Sequence, residues 1–292
     1  MRRPKPGRKA VVAVRVRSSG LAMVVVLLGM GCRGSPQAGT EQTVGGLDLA
    51  TARIVDLSHA FDGQTIYWPT SPSRFELDTL SFGITEGGWF YSANVLSTPE
   101  HGGTHLDAPI HFSATGEDAA SVPLDRLIGP AVVLDIRDQA AADADYRLTV
   151  ADVEAWEAEH GRIEAGAVVL LRTGWSSRWP DAATYLGSTV PGDATNLHFP
   201  SYGEESARLL VEERGVAVLG ADVASIDYGL SADFIVHRIA AAANVAGLEN
   251  LTNLDALPAE GAWVIALPMK VAGGSGGPLR AIALMRATAG GD

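Results

Sequence analysis

Six runs along the chain are apolar almost without interruption, or alternate over five to seven residues: 53–58 (RIVDLS), 90–96 (FYSANVL), 131–136 (AVVLDI), 167–172 (AVVLLR), 216–220 (VAVLG) and 262–267 (AWVIAL). Near-continuous apolar runs of this length predict strands covered on both faces. Three stretches carry helical patterning. The first, 149–159, opens at Thr149 with Asp152 three residues on, a capping box with Asp in the Glu position. The second, 206–214, stops at Gly215, and the third spans 234–243. Residues 66–72 hold two prolines and predict a loop. Strands and helices alternate only in the second half, which favours a mixed α/β layered fold over an eight-repeat barrel. Residues 33–49 are rich in Gly, Ser, Thr and Gln and predict a linker. The remaining stretch, 50–292, has the length of a single domain.

Composition adds a compartment. With 47% hydrophobic and 19% charged residues the chain is of ordinary globular type. Its net charge of −12 is unevenly placed: eight of the 22 Lys and Arg, and none of the 34 Asp and Glu, fall within the first 33 residues. The body is therefore strongly acidic, which excludes a phosphate-reading role and any nucleic-acid partner. The basic head precedes an apolar run at 21–28 (LAMVVVLL), shorter than the ~20 residues a membrane span needs. This is the layout of an export signal over 1–32. Cys32, the single cysteine, stands where a bacterial lipoprotein would be cleaved and lipidated, although Gly29 and Met30 depart from the usual residues there. The expected location is periplasmic or lipid-anchored at the cell envelope, with that anchor as the one membrane contact. A mature chain without cysteine excludes thiolate ligands, a cysteine nucleophile and a structural disulfide.

The chemistry concentrates in residues 101–112, HGGTHLDAPIHF. Gly102, Gly103 and Pro109 oppose a helix. In an extended chain His105 and Asp107 share one face, with Cα atoms roughly 6.6 Å apart, so both side chains converge on one cation. His101 lies too far away along a straight strand, and the Gly-Gly pair is what lets the chain fold it back. Two imidazoles and a carboxylate suit Zn²⁺ or Mn²⁺, and such an ion acidifies water and polarises carbonyls. His111, beyond Pro109, is a candidate general base or a ligand to a second ion.

The same stretch resembles the signature of the metal-dependent cyclase-like hydrolases, which include bacterial kynurenine formamidases and isatin hydrolases. Residues 56–59 (DLSH), 220–227 (GADVASID), His237-Arg238 and 247–254 (GLENLTNL) are similar to further family segments in the expected order. The resemblance implies a swivelling β/β/α fold with a mixed sheet, a homodimer or homotetramer, and hydrolysis of a small aromatic amide. It implies His101, His105 and Asp107 as ligands of a first ion and His111 as the catalytic imidazole. His237 and Glu249, with Asp107 bridging, would complete a second site as in the formamidases. Trp68 matches the early aromatic loop, and Phe90 and Ser225 are further substrate-binding candidates. Arylformamidase-like activity is the expected function. Isatin-type opening of a cyclic amide, a cyclase or dehydratase, and a non-catalytic exported binding lipoprotein are the alternatives.

Overall fold

The computed structural model describes residues 43–287 apart from 45, 189 and 191, so the export signal and the start of the linker lie outside the described residues. The strands of three or more residues are, in chain order, β1 (Arg53–Asp56), β2 (Glu76–Ile84), β3 (Phe90–Ser97), β4 (His105–Asp107), β5 (Ile128–Asp135), β6 (Val168–Arg172), β7 (Val218–Ala221), β8 (Ala246–Glu249), β9 (Ala262–Ile265), β10 (Gly276–Pro278) and β11 (Ile282–Met285). Nine of them form one sheet in the order β10-β4-β8-β7-β6-β5-β9-β11-β1. Its centre, β8-β7-β6-β5, is parallel. The flanks β10-β4 and β9-β11-β1 run antiparallel.

The apolar runs predict this centre for a physical reason that the packing makes plain. Along β6, Val169 and Leu171 point to one core and Val168 and Leu170 to another. The first core is closed by helices: Val153 of α1 (Val150–His160), Leu210 where α2 (Glu204–Arg208) passes into the π-helical turn Leu209–Arg214, and Val236, Ile239 and Ala240 of α3 (Ile235–Ala242). Leu248 of β8 and Leu106, Val264 and Ala283 of the flanking strands share the second core, so the sheet curls over its own apolar face. Each buried Leu or Val contributes about 1.5–3 kcal/mol, and both faces of the central strands collect it. Thr149 Oγ1 accepts from the Asp152 amide at 3.2 Å and Asp152 Oδ2 accepts from the Thr149 amide at 2.8 Å, the reciprocal cap expected of α1.

Two expectations are corrected. The run 90–96 is a strand, but it pairs only with β2 and stays outside the sheet. Phe82, Ile84, Phe90, Tyr91 and Leu96 are all more than half exposed on this hairpin, so the apolar run there is not a strand covered on both faces. The linker expected over 33–49 is already ordered at its end: Thr43–Val44 pairs with Leu47–Asp48, and Leu47 is buried. Strands β8 (AGLE) and β10 (GGP) escaped the sequence reading because glycine interrupts their pattern.

Candidate metal centre

The centre is built on β4. This strand is held between β8, with His105 opposite Glu249, and β10, with Asp107 opposite Gly276. Alternation sends Leu106 into the second core and His105 and Asp107 to the other face. There His105 Nε2 lies 3.2 Å from Asp107 Oδ1 and 3.4 Å from Glu249 Oε2. The two glycines do what the spacing requires. Gly102 and Gly103 take φ of +152° and +57°, and a Cβ would stand 2.0 Å from the Tyr67 ring at 102 and 2.6 Å from the Phe61 ring at 103. The turn returns His101 to Asp107, Nδ1 to Oδ1 at 2.5 Å.

His237 reaches the cluster from the first turn of α3, with Nε2 3.0 Å from Asp107 Oδ2 and 3.1 Å from Glu249 Oε1. Its Nδ1 donates to the buried carboxylate of Asp227 at 2.7 Å, and Asp227 also accepts the amides of Val236 and His237. The Asp107 carboxylate therefore stands between two donor sets. Ligand atoms of His105, Asp107 and Glu249 lie within 4.8 Å of one another, as do those of His101, Asp107 and His111.

The electrostatics ask for a cation. Burial alone would raise the Asp107 carboxyl, yet the facing imidazoles hold it well below the usual carboxylate range. Burial alone would lower His105, but the nearby charges of Asp107 and Glu249 lift it to about 9. His237 is raised in the same way, by hydrogen bonds to Asp107, Asp227 and Glu249 that outweigh its burial. The decisive atom is His105 Nε2. The ring donates from Nδ1 to the Gly103 carbonyl at 2.9 Å, so Nε2 is the nitrogen turned to the cluster, where a proton or a metal ion can meet the carboxylates. That nitrogen is buried without a well-aligned hydrogen-bond partner and faces two carboxylates. A nitrogen so placed among oxygen donors fits a divalent metal ion.

Above the cluster opens a cavity of about 280 Å³, walled by Ile66, Tyr67, Trp68, Phe112 and Phe234, with Ser225 at its side. Trp68 and Ser225 thus lie where they are expected. Phe90 does not: it sits on the hairpin, edge-on to Phe82 at 5.3 Å, and does not line this cavity. An aromatic in a strand carries no signal of which way the strand leaves the sheet. His111 follows β4 on the turn Pro109–His111 and stacks on His101 at 3.9 Å. Partial shielding from water pushes its pKa down to about 4, assisted by the three neighbouring imidazoles and opposed by Asp107, although the residue stays exposed at the cavity.

Phe112 and Phe234 are walls that sequence reasoning did not assign. Phe112 ends the histidine motif, a signal that was there to use. Phe234 has none, because its place depends on a left-handed conformation at φ 51° before α3. Asp222 accepts Thr173 N and Oγ1 and Gly174 N, which makes it a strand-end brace. Trp175 is core, bonded to the Tyr185 carbonyl. Trp179 stacks on His59 at 4.1 Å, and His59 Nε2 is buried without a hydrogen-bond partner.

The family model described as "Putative cyclase" matches residues 55–228, from within β1 to Tyr228. The chain belongs to this cyclase family. Among its relatives in the family, the isatin hydrolase of Roseibium aggregatum is 38% identical over 207 residues, 68% of this chain and 76% of that protein. The kynurenine formamidase of Sphingopyxis alaskensis is 30% identical over 234 residues, 79% and 97% of the two chains. A crystal structure of an isatin hydrolase bound to the product analogue thioisatinate superposes with a TM-score of 0.74 at 32% identity, covering 82% of this chain and 94% of the other. The cyclase-family match stops short of His237 and Glu249, so their place at the centre rests on the distances above.

Proposed function

We propose that this chain is a metal-dependent amidohydrolase that breaks the C–N bond of a small aromatic amide, a cyclic amide of the isatin type in the first place. The observation that carries it is the unpartnered His105 Nε2, aimed at Asp107 and Glu249 on the floor of an aromatic-walled cavity. His101, His105 and Asp107 would hold one ion, Zn²⁺ or Mn²⁺, and His237 and Glu249, with Asp107 shared, would hold another. Such an ion supplies polarisation of the amide carbonyl and more acidic water. The rings of Trp68, Phe112 and Phe234 orient a planar substrate and keep bulk water from it. His111, outside the buried ligand set, moves a proton at a ring nitrogen between water and the leaving nitrogen.

The greater similarity to isatin hydrolase supports the cyclic substrate. Hydrolysis of a linear formamide is the second reading, favoured by the His237 and Glu249 set that the formamidase resemblance assigns to a second ion. The test is depletion of isatin and of N-formylkynurenine by purified protein loaded with Mn²⁺ or Zn²⁺, with ion stoichiometry measured alongside. Turnover of isatin is expected, and depletion of neither compound by metal-loaded protein sinks the reading in favour of a binding protein.

Export and self-association complete the proposal. The basic head and the apolar run ending at Cys32 support an exported, lipid-anchored form, to be checked by mass spectrometry of the mature N-terminus. The β2–β3 hairpin supports a homodimer. A two-stranded ribbon with large apolar side chains exposed along its length is unstable alone in water. Its apolar side chains offer on the order of 800 Å², the contribution of one partner to a standard interface.

A further inference from the structure

Residues 273–277 read Gly-Gly-Ser-Gly-Gly and lead into β10 at the edge of the sheet. The pairing of β10 with β4 brings Ser275 beside the ligand strand, where its carbonyl accepts the Ala108 amide at 2.9 Å. Ser275 Oγ stands 2.8 Å from His101 Nε2. It donates to Glu100 Oε2 at 2.6 Å, and the Ser275 amide donates to the same oxygen at 3.0 Å. The fit leaves no room for larger neighbours: a Cβ would lie 2.7 Å from His101 Cε1 at Gly276 and 2.8 Å from Glu100 Oε1 at Gly274.

The direction of these bonds fixes the ring. A hydroxyl has one hydrogen, and a carboxylate only accepts, so the Ser275 hydrogen is committed to Glu100. Ser275 Oγ must then accept from His101 Nε2–H, so Nδ1 is the nitrogen free to bind either a proton or a cation. That nitrogen is the one 2.5 Å from Asp107 Oδ1. Atoms at that distance need a proton or a metal ion between them, and an ion that binds there takes the proton's place. His105 and His237 are arranged the other way round, each donating from Nδ1, to Gly103 O and Asp227, and turning Nε2 to the cluster.

We propose that Ser275, braced by Glu100, is a positioning residue that sets the tautomer and orientation of His101 so that Nδ1, and not Nε2, is offered to the ion. This rests on the reading of the cluster as a metal centre. Outer partners of ligand imidazoles tune affinity by about 10- to 100-fold.

The experiment is chelator competition for Zn²⁺ and Mn²⁺ with the wild type, Ser275→Ala, Ser275→Thr and Glu100→Gln, together with the Tm of each metal-free protein. Ser275→Ala should weaken the Kd by about 10- to 100-fold while its metal-free Tm stays near the wild type. Ser275→Thr, which keeps the hydroxyl, should restore affinity to within about 3-fold, and Glu100→Gln should give a smaller loss than alanine. An unchanged Kd in a folded Ser275→Ala protein overturns the proposal. If that variant does not fold, Glu100→Gln decides: a weakened Kd supports the positioning role and an unchanged one overturns it. A wild type that binds neither ion sinks the metal-centre reading itself, a failure seen before any variant is compared.

Discussion

Strands β3 and β4 are consecutive in the chain and opposite in character. On β4, His105 and Asp107 are charged or polar groups buried almost completely, held by strands on both sides. On β3, Phe90, Tyr91 and Leu96 are apolar groups more than half exposed, in a ribbon paired on one side only. Both reverse the usual partition of residues between interior and surface. A buried polar cluster and an exposed apolar ribbon are each incomplete in isolation; in the function proposed above, a cation completes the first and a second copy's apolar surface the second.

The largest effect expected is on the buried side. Asp107→Ala removes the carboxylate common to both donor sets, and turnover should fall by at least ~10³-fold with loss of bound ion, measured by elemental analysis alongside kinetics. Full occupancy in that variant would break the contrast, because the buried charge would then have another purpose. His111→Ala sharpens it from the rim. Turnover should drop by ~100-fold or more while the ion content is kept. On the exposed side, Phe82→Asp combined with Phe90→Asp should convert a dimer into a monomer in sedimentation analysis, with ion content unchanged. A protein that sediments as a monomer before any substitution would remove the explanation offered for the ribbon.

The smallest effect belongs to a region that obeys the usual partition. Thr149→Ala should cost about 1 kcal/mol and lower the Tm by about 2–4 °C. Partial burial pushes the Asp152 carboxyl up, but the Thr149 hydroxyl and amide, with Tyr146, hold it below its ordinary value. Because the folded pKa is depressed, this contribution is complete above the unfolded value of about 3.9 and is lost as pH falls below it. The Tm gap between wild type and variant should accordingly close on acidification below about pH 4, which thermal scans across pH will show.

The contrast also explains what was legible in the sequence. The central parallel strands and the capped helix α1 announce themselves because their local patterns agree with their final surroundings. The histidine motif is legible for a second reason: spacing along an extended chain is already geometry, so His105 and Asp107 converge before any tertiary contact is known. His237 and Glu249 required the resemblance, since a histidine in a helix and a carboxylate after a glycine are ordinary alone. Phe90 misled because a strand's apolar pattern is identical whether its faces meet a core or water. Ser275 was illegible, since a serine among four glycines resembles a loose loop until β10 pairs with β4 and seats it on His101.

The turn at Gly102 joins two properties that a designer would prefer to adjust separately. The Tyr67 ring that narrows the cavity occupies the volume where any side chain at 102 would begin. Even one added methyl would both shift the imidazole that precedes it and push the aromatic wall outward. Substrate breadth and ion geometry are therefore inherited as one trait, and variants selected for a wider mouth will have to relocate Tyr67 while leaving position 102 bare.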